Sequence, residues 1–344
     1  MLNLRLEDVS DLVTIVSGTI RTNAVSMFAI VKDEMDLLPA FLDHYRELGF
    51  SQFLILDDQS IDGGRAFLEA QNDVVLFTSH LTFGVPVTVT FPDGSRREDR
   101  AGIYFKAAIP YVYCLGQIVG YFDADEFLFL PPDVSIQQVI DRMDKEEADC
   151  AVASVVEFFP EAISGLAGPM PKDFQGLLES YPCFEPEPLV NLRKGMDPKL
   201  INLSKTNRLF EQYGVQPSVE GGFFKRLFTS RREKKAQLFQ KSPRHKIPLV
   251  RRSNTSWQIG SHYCNQPPSD SILLTIGHFV FTARFAEKIA RAQEWKAHTS
   301  GASKYRYYSE LLAKMEAVDG RFVGPDTRRF ESEEQFLDCG LMRW

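Results

Sequence analysis

The chain has 344 residues, of which 44% are hydrophobic and 25% are charged. That composition is typical of globular proteins and supplies enough apolar residues for a large core in one or two domains. The formal net charge of −7 gives no electrostatic basis for general nucleic-acid binding.

The amino terminus and the cysteines indicate a compartment. No apolar run approaches the length of a membrane span, and residues 1–7 lack the apolar core of a signal peptide. The five cysteines are scattered without a Cys-x-x-Cys pair, which favours free thiols in a reducing environment. We therefore expect a cytoplasmic protein without a transmembrane segment.

Residues 1–24 show only a weak pattern, and strand and helix patterns alternate from Val25 onward. The predicted elements that follow are a strand over 25–31, a helix over 38–48 with Pro39 in its first turn, a strand over 53–56, a short helix around 66–68 and a strand over 74–77. This β-α-β-α-β order predicts a parallel sheet with right-handed crossovers, the nucleotide-binding half of a Rossmann-like domain.

The rest of the chain interrupts this pattern twice. Residues 80–99 are predicted to form a surface hairpin, and residues 160–217, rich in Pro and Gly, are predicted to be largely irregular. The other predicted elements are a helix over 101–114, a strand over 118–122, a helix opened by a capping box at Ser135 and Gln138, strands over 150–156, 221–228 and 272–276, and two helices after Arg284.

Three carboxylates, Asp123, Asp125 and Glu126, directly follow the strand over 118–122. Two aspartates separated by one residue can converge on a hard divalent cation, and carboxylate oxygen is the ligand that Mg²⁺ and Mn²⁺ prefer. An isolated Asp-x-Asp is usually a solvated acidic turn. Here apolar segments flank the acids on both sides, and enclosed carboxylates need a counter-charge. The sequence therefore predicts a Mg²⁺ or Mn²⁺ site at this strand end.

Acids also follow two earlier strands of the predicted sheet, and the carboxyl ends of parallel strands meet at one edge. These acids are Asp33, Glu34, Asp57 and Asp58. Neither G-x-G-x-x-G nor G-x-x-x-x-G-K-[ST] follows the first strand, so the chain is not a P-loop enzyme or an obvious NAD enzyme. A nucleotide diphosphate would then be neutralised by a metal ion held by aspartates, with help from Lys or Arg.

Three stretches, 28–34, 56–62 and 122–128, resemble in order and spacing the three signatures of family-2-type glycosyltransferases of the GT-A fold. The variant Asp-Ala-Asp-Glu-Phe-Leu, with Leu-Pro-x-Phe-Leu in the first helix, is similar to the family-92-related branch, formerly unknown-function family 23. We also find a weaker similarity, in which residues 276–279 and 285–288 resemble the His-Tyr/Phe…Glu-x-Lys stretch of that branch. One departure is Asp33, where the family usually has Asn.

This resemblance implies a sugar-nucleotide site and a glycosyltransferase activity of the hexosyltransferase class, with inversion by single displacement. The residues implied to contact the donor's base, ribose or diphosphate are Lys32, Glu34, Asp57, Asp58 and Asp123. Asp123 and Asp125 are implied to hold the Mn²⁺ or Mg²⁺ ion. His278, at the end of a strand, is a further candidate ligand of the metal or the diphosphate, although a lone histidine is usually structural.

The remaining candidates are weaker. A carboxylate must accept the proton of the acceptor hydroxyl, and we favour Glu157 and Glu220, although each alone is typical of a surface acid. Arg100 and Lys106, predicted on the helix before the carboxylate strand, could reach the diphosphate or could be solvated charges. The basic tract within residues 225–252 is interpreted as a solvated or lid surface, or as a patch for an anionic acceptor or the inner membrane face.

We therefore predict an α/β GT-A, Rossmann-like fold with a mostly parallel central sheet flanked by helices. Its predicted parts are a lead-in (1–24), a nucleotide-sugar-binding half (25–157), an irregular acceptor-binding half (158–283) and a C-terminal helical segment (284–344). The expected partners are a nucleotide-sugar donor and a hydroxyl acceptor on a glycan, lipid-linked or protein-linked molecule, as in polysaccharide biosynthesis. Two alternatives stay open: a sugar nucleotidyltransferase, and a non-catalytic module that binds sugar nucleotide or glycan.

Overall fold

The computed structural model describes residues 2–215, 244–295 and 299–344. The strands, in chain order, are β1 (Leu2–Arg5), β2 (Val13–Ser17), β3 (Ser26–Val31), β4 (Gln52–Asp57), β5 (Val74–Ser79), β6 (Pro86–Thr90), β7 (Arg96–Arg100), β8 (Ile118–Tyr121), β9 (Glu126–Phe129), β10 (Cys150–Glu157), β11 (Cys183–Phe184), β12 (Val190–Arg193), β13 (Met196–Leu200), β14 (His245–Arg251), β15 (Leu273–His278) and β16 (Arg328–Arg329). The α-helices are α1 (Val9–Leu12), α2 (Leu38–Glu47), α3 (Gly64–Glu69), α4 (Ala101–Tyr113), α5 (Ile136–Lys145), α6 (Phe174–Ser180), α7 (Lys205–Gln212), α8 (Phe285–Trp295), α9 (Thr299–Glu316) and α10 (Glu334–Asp338).

A nine-stranded mixed sheet lies at the centre of the described part of the chain, in the order β2-β5-β4-β3-β8-β14-β10-β15-β9. Strands β3, β4, β5 and β8 pair in parallel. Strand β14 runs antiparallel between β8 and β10, and β10 pairs in parallel with β15, so β10 and β15 point the same way as β3. Strands β2 and β9 are antiparallel to their neighbours at the two ends. The predicted α/β fold class, with a mostly parallel sheet flanked by helices, is confirmed.

Both faces of this sheet are covered, and successive residues of a strand point to opposite faces. In β3, Met27 and Ala29 belong to the apolar core that includes α2 and α5, while Phe28 belongs to the core that includes α4. A third apolar cluster joins α7, α8 and α9 and includes Phe281 and Tyr308. Since Phe281 comes three residues after β15, helices α8 and α9 pack just beyond the end of that strand.

Local sequence signals set the ends of the helices. Ser135 and Gln138 form the predicted capping box at the start of α5, where the Ser135 N–H donates to Gln138 Oε1 across 2.7 Å. Pro39 lies in the first turn of α2. Gly49, just beyond the end of α2, has a φ of +102°, a conformation that favours glycine and ends the helix.

Two stretches differ from the sequence prediction. Residues 1–24, whose pattern is weak, contain β1 and β2, which pair with β6 and β5. Residues 160–217 contain α6, β12, β13 and α7, which at four to eight residues each are too short to show a clear period. The predicted surface hairpin is present as β6 and β7. The strand predicted over 221–228 lies outside the described residues.

Within the three described stretches, no helix has the length and the apolar character that crossing a bilayer requires.

Candidate active site at the carboxyl edge of the sheet

Strand direction gathers the candidate site residues at one edge of the sheet. The parallel strands β4, β8 and β15 end there, at or just before Asp58, Asp123 and His278. The antiparallel strands β9 and β14 begin at the same edge, with Glu126 and Lys246 in their first two residues. Acidic and basic side chains from distant parts of the sequence therefore share the edge where open α/β sheets bind ligands.

The turns after β3 and β4 adopt left-handed backbone conformations and are bonded to each other. Asp33 has a φ of +52° and Gln59 a φ of +65°. Few residues other than glycine adopt such angles, and Asn and Asp are over-represented among them. The Asp33 N–H donates to Ser60 Oγ (2.9 Å), and Asp33 Oδ1 accepts from the Ile61 N–H (2.7 Å). The positive φ explains why Asp can stand where the resemblance leads us to expect Asn.

Asp57 and Asp58 have different roles in the second of these turns. Asp57 Oδ1 accepts from the Ser60 N–H (3.1 Å), a contact that stabilises the turn itself. Asp58 Oδ1 accepts from the Phe83 N–H (3.0 Å), whereas Asp58 Oδ2 is buried and has no hydrogen-bond partner among the described residues. Burial raises the pKa of Asp58 to about 6. A buried acceptor without a donor is costly, so Asp58 is suited to bind a ligand's N–H or O–H group.

Asp123 lies between two lysines and a tyrosine. Its Oδ1 is 3.5 Å from Lys106 Nζ and accepts from the Tyr121 hydroxyl, and its Oδ2 accepts from Lys246 Nζ. The enclosing protein would raise the pKa of Asp123, but the ammonium groups of Lys106 and Lys246 hold it well below its usual range. The Asp123 side chain is still 40% exposed, so an ionised carboxylate is accessible to solvent.

Lys246 was not predicted as a site residue, because it lies in the basic tract that was interpreted as a solvated or lid surface. It is 3% exposed and donates to Glu126 Oε2 across 2.6 Å as well as to Asp123. The surface interpretation is therefore wrong for Lys246, and also for Arg252, which is fully buried. The physical reason is that β14 lies inside the central sheet, between β8 and β10, where its side chains are covered.

One carboxylate oxygen of Asp125 contacts both an imidazole and an ammonium group. Its Oδ2 lies 3.5 Å from His278 Nε2 and 3.0 Å from Lys288 Nζ. Its backbone carbonyl accepts from the Phe279 N–H (2.9 Å), which ties the acidic turn to the end of β15. Burial would raise the pKa of Asp125, but Lys288 and His278 hold it well below its usual range. His278 Nδ1 is buried without a hydrogen-bond partner among the described residues.

Glu34 anchors helix α8 to the turn after β3. Arg284 Nη1 lies 3.1 Å from Glu34 Oε2, Arg291 Nη2 lies 3.4 Å from Oε1, and Lys288 Nζ lies 3.9 Å from Oε2. Burial raises the pKa of Glu34 in spite of these cations. The resemblance implied that Glu34 contacts the base or ribose of a donor. Its contacts give it a structural role, since they hold α8 at the edge of the sheet, and its contact with a donor stays a prediction.

Glu157, predicted as a catalytic base, caps a helix. Both of its carboxylate oxygens accept from Thr206, with the Thr206 N–H 2.6 Å from Oε2 and the hydroxyl bonded to Oε1. Thr206 is the second residue of α7, whose first N–H groups have no partner within the helix. Glu157 is 3% exposed, and these contacts give it a structural role at the start of α7, while its role as the catalytic base stays a prediction. Glu220, the other predicted base, lies outside the described residues.

Of the three predicted cations, Lys32 contacts the loop that holds Asp58, and Arg100 and Lys106 lie near Phe83, whose backbone binds Asp58. Lys32 Nζ donates to the backbone carbonyl of Asp58 (2.8 Å). The centre of the Phe83 ring lies 5.2 Å from the Arg100 guanidinium and 5.7 Å from Lys106 Nζ. Arg100 is the last residue of β7 and not part of α4, which is a small correction to its predicted place.

The predicted metal ligands differ in how well they fit a divalent ion. The described residues contain no group of three or more His, Cys, Asp or Glu side chains suited to a metal. Asp123 fits poorly, because both of its oxygens already bind lysine or tyrosine groups. Asp125 and His278 fit better, because a carboxylate oxygen and an imidazole nitrogen that such ions accept face each other, although the Lys288 ammonium contacts the same oxygen. The other coordination positions would then go to ligand oxygens and water.

The basic residues Lys246, Arg284, Lys288 and Arg291 are the part of this site that the sequence prediction left without a role. Arg284, Lys288 and Arg291 are spaced four and three residues apart, which places them on one face of a helix. A cationic face next to a predicted acidic edge is a signal that could have found these three. Lys246 gave no such signal, because its pairing depends on where β14 enters the sheet.

No protein-family model matches the chain, and no curated protein matches it. Among solved structures, a UDP-glucose pyrophosphorylase from Acinetobacter baumanii matches with a TM-score of 0.25 and 10% sequence identity, over 92% of each chain. A similarity at this level carries no argument about the function of this chain.

Proposed function

We propose that the chain is a metal-dependent glycosyltransferase that moves a sugar from a UDP-sugar to a hydroxyl group on a glycan, lipid-linked or protein-linked acceptor. The observation that carries this proposal is the arrangement of Asp58, Asp123 and Asp125 after two parallel strands at one edge of the sheet, surrounded by buried cations. Open α/β sheets bind ligands at this edge. The motifs that contain these acids are also those that resemble the GT-A glycosyltransferases.

Two acids would bind the nucleoside of the donor. Asp58 has a buried oxygen without a hydrogen-bond partner among the described residues, and a hydrogen bond to a charged group in such surroundings is strong. Asp123 is kept ionised by Lys106 and Lys246 and is partly exposed, so it can accept from a ribose hydroxyl. These two contacts would fix the position of the donor, and holding the reactants in the right geometry lowers the barrier of a transfer reaction.

Asp125 and His278 would hold the divalent ion at the diphosphate. When bound, such an ion stabilises the charge that develops on the leaving diphosphate. The acceptor hydroxyl attacks the anomeric carbon as the bond from that carbon to the diphosphate breaks, and a base takes the hydroxyl proton. Of the two predicted bases, Glu157 is engaged with Thr206, and Glu220 stays a prediction.

The direct test is turnover of purified protein with UDP-, GDP- and CMP-sugars, each with and without Mn²⁺. We expect Mn²⁺-dependent release of UDP from a UDP-sugar and a rise in the melting temperature with UDP, since a ligand that binds the native state stabilises it. No metal-dependent turnover and no transfer would refute the proposal. Turnover only with a sugar 1-phosphate and a nucleoside triphosphate would identify a nucleotidyltransferase instead.

A further inference from the structure

The ammonium of Lys288 contacts the same oxygen of Asp125 that faces His278, the pair proposed to hold the divalent ion. Lys288 Nζ and His278 Nε2 approach the same carboxylate oxygen, Asp125 Oδ2, at 3.0 Å and 3.5 Å. The Lys288 side chain is only 12% exposed and also lies 3.9 Å from Glu34 Oε2. An ammonium ion and a metal ion on the same carboxylate oxygen repel each other, so each weakens the binding of the other.

The charges around this oxygen leave little attraction for a metal ion alone. On this side of the edge, the partly buried acids Glu34 and Asp125 face three cations, Arg284 just before α8 and Lys288 and Arg291 within it. Deeper in the edge, two buried lysines neutralise the other two acids, as the pairs Lys246–Glu126 and Lys106–Asp123 show. The more exposed acids Asp36 and Glu287 each lie 3.5 Å from Arg284.

The helix that carries Lys288 is fixed by its two neighbouring arginines. Arg284 Nη2 and Arg291 Nη1 donate to the backbone carbonyl of Asp33 at 2.7 Å and 2.8 Å, and both guanidinium groups also contact Glu34. Lysine has a flexible four-carbon stem with a compact charge at its end. The Lys288 ammonium can therefore change partner while α8 stays in place.

We infer that Lys288 occupies the cation position at Asp125 in the protein without donor, and that it moves to the donor's diphosphate when the metal ion enters. The diphosphate supplies the negative charge that compensates both the displaced ammonium and the incoming ion. Binding of the metal therefore depends on binding of the nucleotide, and Lys288 is the residue that couples them. This inference rests on the proposed function, since it needs a diphosphate as the second partner.

The test is direct binding of Mn²⁺ to metal-free protein, followed by the electron paramagnetic resonance signal of free Mn²⁺, with and without UDP. For the wild type we expect UDP to strengthen Mn²⁺ binding by about tenfold or more, a typical size for coupling between two ligands. Lys288→Met should bind Mn²⁺ without UDP about tenfold more tightly than the wild type does, and should gain little from UDP. Adding Asp125→Asn to Lys288→Met should remove that gain.

Two controls separate this effect from a general change in charge or folding. Lys288→Arg keeps a cation beside Asp125 and should bind Mn²⁺ alone as weakly as the wild type. Lys288→Gln also removes the charge and should bind Mn²⁺ more tightly, so it gives the same test if Lys288→Met fails to fold. Lys314→Met removes a lysine of α9 that pairs with Glu310, and should leave Mn²⁺ binding unchanged.

The outcomes distinguish this inference from the proposed function. Equal Mn²⁺ affinity of wild type and Lys288→Met without UDP would overturn the inference whether or not the protein is a glycosyltransferase. Tighter binding by Lys288→Met, with no effect of UDP on either protein, would support the position of Lys288 at Asp125. The same result would contradict two claims: that the protein uses a nucleotide-sugar donor, and that the Lys288 ammonium moves to the donor's diphosphate.

Discussion

Lys246 Nζ lies 2.6 Å from Glu126 Oε2, although 120 residues separate the two in the sequence. Both side chains are buried, and Lys246 also donates to Asp123. Removing one partner of a buried ion pair leaves the other charge without compensation, which costs about 3–5 kcal/mol. We expect Lys246→Met to lower the free energy of unfolding, measured by urea denaturation, by about that amount.

A matched control for this prediction is Lys314→Met, which breaks the more exposed pair with Glu310. Such exposed pairs contribute about 0–1 kcal/mol, so the control should unfold almost like the wild type. Adding Glu126→Gln to Lys246→Met should restore part of the lost stability, because it removes the buried charge left behind. A loss of less than about 1 kcal/mol for Lys246→Met would contradict the buried pair.

Asp125→Asn should keep the fold and abolish metal-dependent turnover of a UDP-sugar. The amide keeps the shape of the side chain but loses the charge that faces His278 and Lys288. Turnover is measured as UDP release with Mn²⁺, and folding by circular dichroism. Asp43→Asn, which changes an exposed aspartate paired with Arg46, is the control and should retain activity. Full activity of Asp125→Asn would remove Asp125 from the site.

The affinity for uridine, which carries no phosphate that would titrate in this range, should rise with pH through about 6, where Asp58 ionises. Protonated Asp58 has lost the charge that strengthens its hydrogen bond to a ligand, so binding is weaker below that pH. Calorimetry between pH 5 and 8 measures this change. Asp58→Asn should bind weakly and without the pH dependence, whereas Asp57→Asn should keep it, because the Asp57 carboxylate serves the turn through Ser60.

The contribution of the Asp58 carboxyl to the stability of the protein should fall as the pH rises, whereas its contribution to ligand binding rises. Burial raises the pKa of Asp58 above its ordinary value of 3.8, so the folded protein holds this proton more tightly than the unfolded chain does. The contribution of Asp58 to stability is therefore greatest at low pH and falls as the pH rises from about 4 to about 6. Comparing the denaturation of wild type and Asp58→Asn over that range checks the sign.

Glu157→Gln should lower stability more than activity. One oxygen of the side chain can still accept from Thr206, but the charged cap at the start of α7 is lost. Glu157→Ala leaves the Thr206 N–H and hydroxyl without this acceptor, which should cost about 1–3 kcal/mol of unfolding free energy. Unchanged stability of Glu157→Gln, together with a loss of turnover of about a hundredfold or more, would support the predicted role of Glu157 as the catalytic base.

Much of the fold was predictable because it rests on local patterns. The apolar runs of β3, β4 and β8 and the capping box at Ser135 are short-range signals, and the structure has each of them where the sequence placed it. The short elements between residues 160 and 217 were missed, since four to eight residues do not show a period.

The acidic residues of the candidate site could also be predicted from the sequence, but the basic residues that pair with them could not. Asp58, Asp123 and Asp125 follow strands that the apolar pattern predicts, and parallel strands end at one edge. Lys246 enters the site on an antiparallel strand inserted between β8 and β10. The sequence shows only that Lys246 lies in a basic tract, and nothing local identifies Asp123 and Glu126 as its partners.

The sequence by itself therefore determined the α/β layout and the acids at the strand ends, because these follow from hydrophobic periodicity over a few residues. Only the tertiary structure decided which cation meets which acid, because strand order and helix docking are set by packing between distant segments. In those pairings Glu34 contacts the residues at α8, Glu157 contacts α7, and Lys288 contacts Asp125, while one oxygen of Asp58 has no hydrogen-bond partner among the described residues.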